Sequence, residues 1–481
     1  MRRFLPRSLP VPPHIQVGRR ALKAGASVPR DHETPMRGRA AAVVVLALAL
    51  VAASFSITMR GAEGAPRAAD GRAAPEIHGH WVDSWASMPQ LTEPHNMPPP
   101  PFTQDDVVLD DATLRQTIRV SVGGRNMRLR FSNAFGGAEL PITKVSVALP
   151  DGGQAGVDAI QPGTSRPVTF NGGPSAVIPV GAQMVSDPLR FPVAPRSILT
   201  VTLYLADGQA STDITSHPGS RTSSFLVAGD HVGDTGLPGA TRTDHWYFLS
   251  GVEMWAGPST AAAVMLGDSL TDGRGSTTNG NDRWPDQLLD RLQSQPGTPD
   301  IAIVNQAAGG NRVLHDGLGP NVLARLDRDV LAQSGVQWLV VFEGVNDIGT
   351  AEAAPGAQKQ VADRLIAAYE QIIVRAHAQG IRVYGATLTP FGGNTMYDDE
   401  NGYREEARQT VNRWIRTSRR FDAVIDFDRA SRDPADPRRL RPAFDTGDHL
   451  HLNPAGYKAL ADAVPARLFR QRPLPPTFGF E

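Results

Sequence analysis

The sequence predicts an all-β domain followed by an α/β domain with a parallel sheet. Between about residues 80 and 250, short runs alternate apolar and polar residues, as in 117–122 and 199–205, with Gly, Pro and Asp between them. This two-residue period with frequent turn residues is typical of an antiparallel β-sandwich. From Ala261 onward, short continuous apolar runs alternate with helical segments, which indicates a sheet covered by helices on both faces.

Within the β-rich part, residues 117–122, 127–131, 145–149 and 199–205 are predicted strands. Gly123-Gly124 separates the first two runs by a pair of residues that suit a tight turn. The sequence therefore predicts that these two runs pair as a hairpin.

The α/β part is predicted to be doubly wound. Residues 357–379 place apolar side chains at spacings of three and four, which indicates one buried helix face. Five short apolar strands with helices between them favour a doubly wound sheet. The predicted strands are 261–266, 301–304, 336–342, 381–387 and 423–427, and the predicted helices are 284–295, 357–379, 403–418 and 455–470.

Length and composition bound the class of protein. The 481 residues carry a net charge of −1 and no cysteine. Absence of cysteine excludes disulfides, thiolate catalysis and cysteine-ligated zinc, and the near-neutral charge disfavours nucleic-acid binding. We expect a signal or anchor segment with a linker over residues 1–75, a β-sandwich accessory domain over 76–255 and a catalytic domain over 256–481.

The N-terminal segment is predicted to carry a targeting signal. Residues 40–57 form an apolar run of 18 residues preceded by Arg37 and Arg39. A basic start followed by an apolar stretch is typical of a secretory signal, which predicts an extracellular protein. The alternative is an uncleaved membrane anchor, because 18 residues stand at the lower limit for spanning a bilayer.

Four short blocks follow predicted strands in the α/β part. They are Gly267–Leu270, Gly309–Asn311, Gly344–Asp347 and Asp448–His451. Together they supply a serine, a glycine backbone, an asparagine amide and an Asp/His pair. An acyl-transfer site needs these parts as nucleophile, oxyanion donors, base and orienting acid.

Each block alone also has a structural explanation. Ser269 could cap a helix, Gly309-Gly310 could form a turn, and Asn346 could form an Asx turn. His451 could lie on the surface near the next helix. The carboxyl ends of parallel strands, however, meet at one edge of a sheet, so the four blocks are predicted to converge on one cleft.

A metal site is the second interpretation of the histidine-containing block. His449 and His451 lie close in sequence, and His315 is the nearest further candidate. No third and fourth ligand stand at a convincing spacing. The sequence therefore predicts neither a metal nor a cofactor.

With these blocks in order, residues 261–470 resemble the GDSL/SGNH serine hydrolases, a superfamily of esterases and lipases. The resemblance implies a three-layer α/β/α domain. It further implies that Ser269 is the nucleophile and that His451 is the base, oriented by Asp448. It assigns the oxyanion hole to Ser269, Gly310 and Asn346.

Further segments resemble a bacterial extracellular subgroup similar to xylan acetylesterase-like enzymes. These are residues 283–286, 309–312 and 389–393, while residues 80–250 look like the N-terminal β-domain of that subgroup. The resemblance implies a secreted serine esterase that removes acetyl or short acyl groups from carbohydrate or small esters.

Three alternatives stay open at this point. The same residues could serve a lipase for longer acyl chains or an acyltransferase. The β-domain could also bind polysaccharide without catalysis. Its candidate contacts would be aromatic, although core packing is the better interpretation of those side chains: Trp81, Trp85, Trp246 and Tyr247.

Overall fold

The structure is a computed structural model that describes residues 79–470. The predicted targeting run at 40–57 and the linker up to residue 75 lie outside the described residues. Among the helices between residues 79 and 470, none combines the length and apolarity that a bilayer crossing requires.

The N-terminal half of the described chain is built from β-strands. Short 3-10 turns occur at Pro94–Asn96 and Asp151–Gly153. The strands are β1 (His80–Ala86), β2 (Gln90–Leu91), β3 (Val108–Arg119), β4 (Gly124–Ser132), β5 (Leu140–Ile142), β6 (Lys144–Ala148), β7 (Arg166–Val168), β8 (Ala176–Ile178), β9 (Gln183–Val185), β10 (Leu189–Val193), β11 (Ile198–Gln209), β12 (Thr215–His217), β13 (Ser224–Ala228), β14 (Thr241–Thr243), β15 (Trp246–Tyr247) and β16 (Leu249–Ala256).

These strands form antiparallel sheets around a common apolar core. One sheet has the order β1-β16-β4-β10, with β9 also paired to β4, and a second has the order β14-β13-β3-β11-β6-β7. Smaller sheets are β15-β12-β2 and β5-β8. Leu129 and Met254 of the first sheet share one buried cluster with Leu114, Val201 and Leu203 of the second. The N-terminal half is therefore an antiparallel β-rich region.

The predicted hairpin at Gly123-Gly124 is wrong. Strand β3 pairs with β11 and β13, whereas β4 pairs with β16, β10 and β9, so the two runs belong to different sheets. After β3 the chain leaves its sheet and bonds to Ser84, whose carbonyl accepts from Ser121 N–H at 2.7 Å. Gly123 passes so close to the Val193 carbonyl that a Cβ would stand 2.3 Å from it. The glycines serve this close crossing between sheets instead of a turn.

The C-terminal half alternates strands and helices. The strands are β17 (Ala261–Gly267), β18 (Ile301–Ala307), β19 (Val336–Phe342), β20 (Arg382–Ala386) and β21 (Ala423–Ile425). The helices are α1 (Ser269–Asp272), α2 (Trp284–Gln293), α3 (Val322–Leu326), α4 (Val345–Thr350), α5 (Pro355–Ala378), α6 (Tyr403–Thr417), α7 (Phe427–Ser431) and α8 (Pro454–Ala463), with a π-turn at Asp327–Leu331 and 3-10 turns at Pro442–Phe444 and Ala466–Phe469.

The five C-terminal strands form one parallel sheet. Its order is β18-β17-β19-β20-β21, so the chain reverses direction in the sheet after β18. Helix α2 packs against α8, while α5 packs against both α3 and α6. Such a reversal leaves a crevice outside the carboxyl ends of the central strands, where open α/β sheets bind ligands.

Within residues 79–470, the β-rich region and the α/β region pack as one compact unit. Val82 of β1 is fully buried in the core cluster of the α/β region. Asp83 N–H donates to the Ser334 carbonyl at 2.9 Å, and Ser121 Oγ donates to the Ile303 carbonyl at 2.5 Å. This contact fixes the β-rich region relative to the sheet that carries the four sequence blocks.

Candidate active site

Three of the four blocks stand at the ends of neighbouring strands. Gly267 at the end of β17 is in register with Ala307 of β18 and Phe342 of β19. The loops that follow these strands carry Ser269, Gly310 and Asn346. Because the three strands end level, the three residues lie at the same edge of the sheet.

The fourth block lies in a loop before α8 that its own side chains hold in shape. Asp445 accepts the N–H groups of Gly447 at 2.8 Å and His449 at 3.0 Å. Asp448 in turn accepts the N–H groups of Leu450 at 3.0 Å and His451 at 2.8 Å. The loop therefore turns back on itself and directs His451 toward β17.

The side chains of Ser269, His451 and Asp448 form one hydrogen-bonded chain. Asp448 Oδ2 lies 2.6 Å from His451 Nδ1, which donates to it. Nε2 of the same ring then accepts from Ser269 Oγ at 2.8 Å. Ser269 is 6% exposed and His451 5% exposed. The structure thus brings Ser269 together with an Asp/His pair whose histidine stands 182 residues later in the sequence.

The electrostatics of this chain favour a neutral imidazole beside an ionised carboxylate. Burial lowers the pKa of His451, an effect that exceeds the opposing influence of Asp448, and the charges of Arg274 and Arg221 lower it further. For Asp448, burial raises the pKa, but hydrogen bonds from the backbone and ring of His451 and from Leu450 N–H hold it well below its usual range. A neutral ring with Nδ1 protonated can accept a proton at Nε2.

Two backbone N–H groups at the site are free to bind a ligand. Within residues 79–470, the N–H groups of Ser269 and Gly310 donate to no protein acceptor. Gly310 has φ +72°, and a Cβ there would stand 2.4 Å from Leu318. This left-handed conformation and close contact require glycine at the position.

The Asn346 amide is held in one orientation. Its Nδ2 donates one proton to the Asn311 carbonyl at 2.8 Å, and its Oδ1 accepts from Tyr397 Oη at 2.7 Å. One amide proton stays unused by these contacts. Asn346 is 3% exposed and lines the same cavity as Ser269.

A group of buried acids lies beneath the site. Burial raises the pKa of Asp268 to about 7, and its side chain caps α1 by accepting Leu270 N–H at 2.9 Å. Asp347 accepts the N–H groups of Val313 at 2.8 Å and Leu314 at 2.9 Å. It thereby ties the loop after β18 to α4, and so Gly310 to Asn346.

A cavity of about 860 Å³ opens above these residues. Its floor includes Ser269, Gly310, Asn346 and His451. The β-rich region supplies part of the wall, and the rest comes from the loops around residues 393–397 and 447–451. Polar contributors to the wall are Gln90, Glu93, His95, Asn96, Arg221, Arg274 and Asn394, and apolar ones are Pro218, Leu318, Met396 and Leu450.

Several contact residues at the site were not identified from the sequence. Tyr397 and Arg221 lie about 50 residues from the nearest block, and no local pattern marks them. His217 Nε2 lies 2.9 Å from Asp272 Oδ1 and joins β12 to α1. Of these residues, only Asp272 could have been predicted to lie near the site, because a residue three positions after Ser269 faces the same side of a helix.

The tryptophans named as possible sugar contacts divide into two groups. Trp85 and Trp246 are buried and pack edge to face with centroids 4.9 Å apart, and Tyr247 is fully buried. These three residues belong to the core of the β-rich region. Trp81 is half-buried and packs edge to face against Trp255 at 5.3 Å.

The histidines considered for a metal site have other partners. His449 Nδ1 lies 2.6 Å from Asp445 Oδ2, and His315 Nε2 lies 3.4 Å from Arg364 Nη1. Across residues 79–470, no three His, Cys, Asp or Glu side chains are grouped in a way that could hold a metal ion.

The C-terminal half of the chain matches one family of known proteins. Residues 265–459 match the GDSL-like lipase/acylhydrolase family. These residues are therefore similar to a GDSL-like hydrolase domain, and they contain all four sequence blocks. No curated protein matches the chain.

Solved structures similar to this chain include three esterases or lipolytic proteins. A G-D-S-L family lipolytic protein of Desulfitobacterium hafniense has 18% identity and a TM-score of 0.33, over 44% of this chain and 100% of its own. The acetyl xylan esterase AlAXEase has 22% identity and a TM-score of 0.32, over 42% and 96%. An acetylxylan esterase of Geobacillus stearothermophilus has 20% identity and a TM-score of 0.32, over 42% and 91%.

Proposed function

We propose that this protein is a serine-dependent carboxylic ester hydrolase that removes acetyl or short acyl groups from carbohydrate or small esters. The observation that carries the proposal is the hydrogen-bonded chain from Ser269 Oγ through His451 to Asp448, with distances of 2.8 and 2.6 Å, at the floor of an 860 Å³ cavity. A serine hydroxyl bonded to an oriented imidazole is the arrangement that activates a nucleophile.

In the proposed mechanism Ser269 Oγ attacks the ester carbonyl while His451 Nε2 takes its proton. The tetrahedral intermediate then collapses, and His451 returns the proton to the leaving alcohol. Water then attacks the acyl carbonyl and gives a proton to the same nitrogen. The second tetrahedral intermediate breaks its bond to Ser269 Oγ, which takes the proton back from His451 as the acid leaves. Asp448 keeps Nδ1 protonated throughout and stabilises the imidazolium that forms between the steps.

The oxyanion is proposed to bind three donors: the N–H groups of Ser269 and Gly310 and the free amide proton of Asn346. The absence of competing protein acceptors on the two backbone groups within residues 79–470 supports this role. Such preorganised donors stabilise the intermediate because they need no rearrangement when charge develops.

The lining of the cavity favours a polar alcohol. Polar side chains such as Glu93, Asn96 and Asn394 line the cavity together with a smaller number of apolar ones, a mixture that suits carbohydrate hydroxyls. A lipase for long acyl chains needs a continuous apolar channel instead. Acetyl or short acyl esters of polar alcohols therefore suit this site best.

Hydrolysis of p-nitrophenyl esters from acetyl to palmitoyl tests the proposal, with Ser269→Ala as the matched inactive variant. We expect the acetyl ester to react fastest and the variant to lose nearly all activity while keeping the wild-type melting temperature. Fastest turnover of long chains would replace the proposal with a lipase. Equal inactivity of wild type and Ser269→Ala toward every ester would refute it.

We further propose that the β-rich region is a sandwich-type accessory domain of a secreted enzyme. The paired antiparallel sheets with a shared core support the first part. The apolar run at 40–57 supports export. N-terminal sequencing of the protein recovered from culture medium tests it, and retention of the run in a membrane fraction would favour an anchor.

A further inference from the structure

The β-rich region forms part of the wall of the cavity. It contributes lining residues together with the loop that carries His451: Gln90, Glu93, His95, Asn96, Pro218, Gly219 and Arg221. A substrate bound at Ser269 therefore occupies a cavity that both regions line. The β-rich region thus has side chains placed to select the substrate.

The segment that carries Arg221 is fixed to the α/β region from several sides. His217, just before it, contacts Asp272 at 2.9 Å through Nε2 and the Met88 carbonyl at 3.0 Å through Nδ1. The Arg221 carbonyl accepts Asn279 N–H at 2.9 Å. Arg221 itself has φ +51°. These contacts hold its side chain at the edge of the cavity.

Arg221 has spare hydrogen-bonding capacity. Its Nε is buried without any acceptor, and its Nη2 lies 3.8 Å from Asp272 Oδ2, beyond hydrogen-bond distance. The side chain is 29% exposed and lines the cavity. A guanidinium in this state can still bind an anion through its outer N–H groups.

Arg274 is a second cation on the same wall. It follows α1, its backbone N–H donates to the Ser269 carbonyl at 2.9 Å, and its side chain is exposed. Within the described part of the chain, its guanidinium has no ion pair. Arg221 and Arg274 come from different regions of the chain and line the same cavity.

The acids that line the same cavity make their hydrogen bonds to other groups. Asp272 is shared with His217 and Arg283 as well as Arg221, and these three groups together overcome the effect of burial and lower its pKa. Asp448 is bound to His451, and Glu93 accepts from Gln90 at 2.6 Å and Asn96 at 2.9 Å. Within residues 79–470, neither guanidinium therefore donates a hydrogen bond to a carboxylate, and Arg221 keeps only the longer contact with Asp272 at 3.8 Å.

We propose that Arg221 and Arg274 form a subsite for a carboxylate on the alcohol part of the ester. This inference rests on the proposed function, because it deepens the substrate class of the same site. Both cations are close enough to His451 to lower its pKa. Since His451 returns its proton to the leaving alcohol, groups beside it face the alcohol and not the acyl group.

A pair of substrates that differ only in charge tests the subsite. The probes are 4-acetoxybenzoate, which carries a carboxylate on its alcohol part, and its neutral methyl ester. The measured quantity is the ratio of kcat/KM for the two esters, because comparing this ratio between enzymes cancels the intrinsic reactivity of the leaving groups. The enzymes are wild type, Arg221→Gln, Arg274→Gln and Arg221→Lys, with Arg166→Gln as the control, since Arg166 lies on the exposed strand β7 away from the cavity.

We expect the ratio of anionic over neutral kcat/KM to fall about tenfold in each glutamine variant, as for the loss of one charge-assisted contact. Arg221→Lys should keep most of the ratio, and Arg166→Gln should keep all of it. The wild-type ratio should also fall as salt is raised, because the contact is between charges.

The subsite would be overturned if Arg221→Gln and Arg274→Gln kept the wild-type ratio. This holds even if both variants lost activity, provided that they lost it equally on the two esters. If the wild type hydrolyses the neutral ester and Ser269→Ala does not, that failure concerns the subsite alone. Inactivity of the wild type on both esters would overturn the subsite together with the proposed function.

Discussion

Removing the hydroxyl of Tyr397 should slow turnover without weakening substrate binding. Tyr397 Oη donates to Asn346 Oδ1 at 2.7 Å, and burial raises the pKa of Tyr397 to about 12, so the phenol stays protonated at any assay pH. With this bond, the amide presents its free proton to the cavity. The Tyr397 ring packs against Gly349, where a Cβ atom would stand 2.4 Å from the ring. The ring should therefore keep its position in the Tyr397→Phe variant.

The structure sets the size of the effect. A neutral hydrogen bond contributes about 0.5–1.5 kcal/mol, so its loss should reduce the fraction of molecules with a correctly oriented Asn346 amide by about two- to tenfold. Loss of the donor itself costs about 10²–10³ in kcat. We therefore expect kcat to fall about two- to tenfold in Tyr397→Phe and about 10²–10³-fold in Asn346→Ala, with KM nearly unchanged in Tyr397→Phe.

Steady-state kinetics on p-nitrophenyl acetate of both single variants and the double variant make the test decisive. If Tyr397 acts through Asn346, the double variant should be no slower than Asn346→Ala. Tyr204→Phe is the matched control, because its hydroxyl bonds Asp111 at 2.7 Å on the surface of the β-rich region. Additive losses in the double variant, or a wild-type kcat in Tyr397→Phe, would refute the positioning role.

Three further predictions follow from buried charges. Because burial lowers the pKa of His451, kcat/KM should rise with pH to a plateau with a midpoint below pH 6.5, and a midpoint above 6.5 would contradict this. Asp448→Asn should lower kcat by about 10²–10⁴ and shift this midpoint further down, because Asp448 raises the pKa of His451. Burial raises the pKa of Glu343 well above its usual range. The folded state therefore favours the protonated carboxyl, whose contribution to stability is complete below about pH 4.3 and is lost as pH rises through the folded-state pKa. Glu343→Gln should therefore melt a few degrees higher than wild type at pH 8 but not at pH 4, and a lower melting temperature at pH 8 would contradict it. Asp272→Ala leaves the buried His217 without its partner and should lower the free energy of unfolding by about 3–5 kcal/mol in urea titrations, whereas an unchanged value would show that this pair does not join the two regions.

The parallel sheet was predictable because its strands are continuous apolar runs. The predicted strand 336–342 coincides with β19, and 261–266 lies within one residue of β17. The predicted strand 423–427 ends early at Ile425, because the Asp426 side chain accepts Arg429 N–H and starts α7. The last predicted helix ends at Ala463 because Pro465 cannot continue it.

The contacts across the two regions were not predictable. The Gly123-Gly124 pair satisfied the local rule for a hairpin, but long-range pairing of β3 with β11 decided the topology. At the site, Ser269, His451 and Asp448 could be named because short blocks mark them. Tyr397 and Arg221 could not, because their roles depend on which loops the tertiary fold brings to the cavity.

The most direct test of the central claim is mass spectrometry of the protein after reaction with a fluorophosphonate, which phosphonylates activated serines. We expect one adduct per chain, on the peptide that contains Ser269, with activity lost in proportion. His451→Ala should label far more slowly, although its serine is unchanged. Inactivation with the adduct on another residue, or a fully active protein after labelling of Ser269, would contradict the claim that Ser269 is the nucleophile.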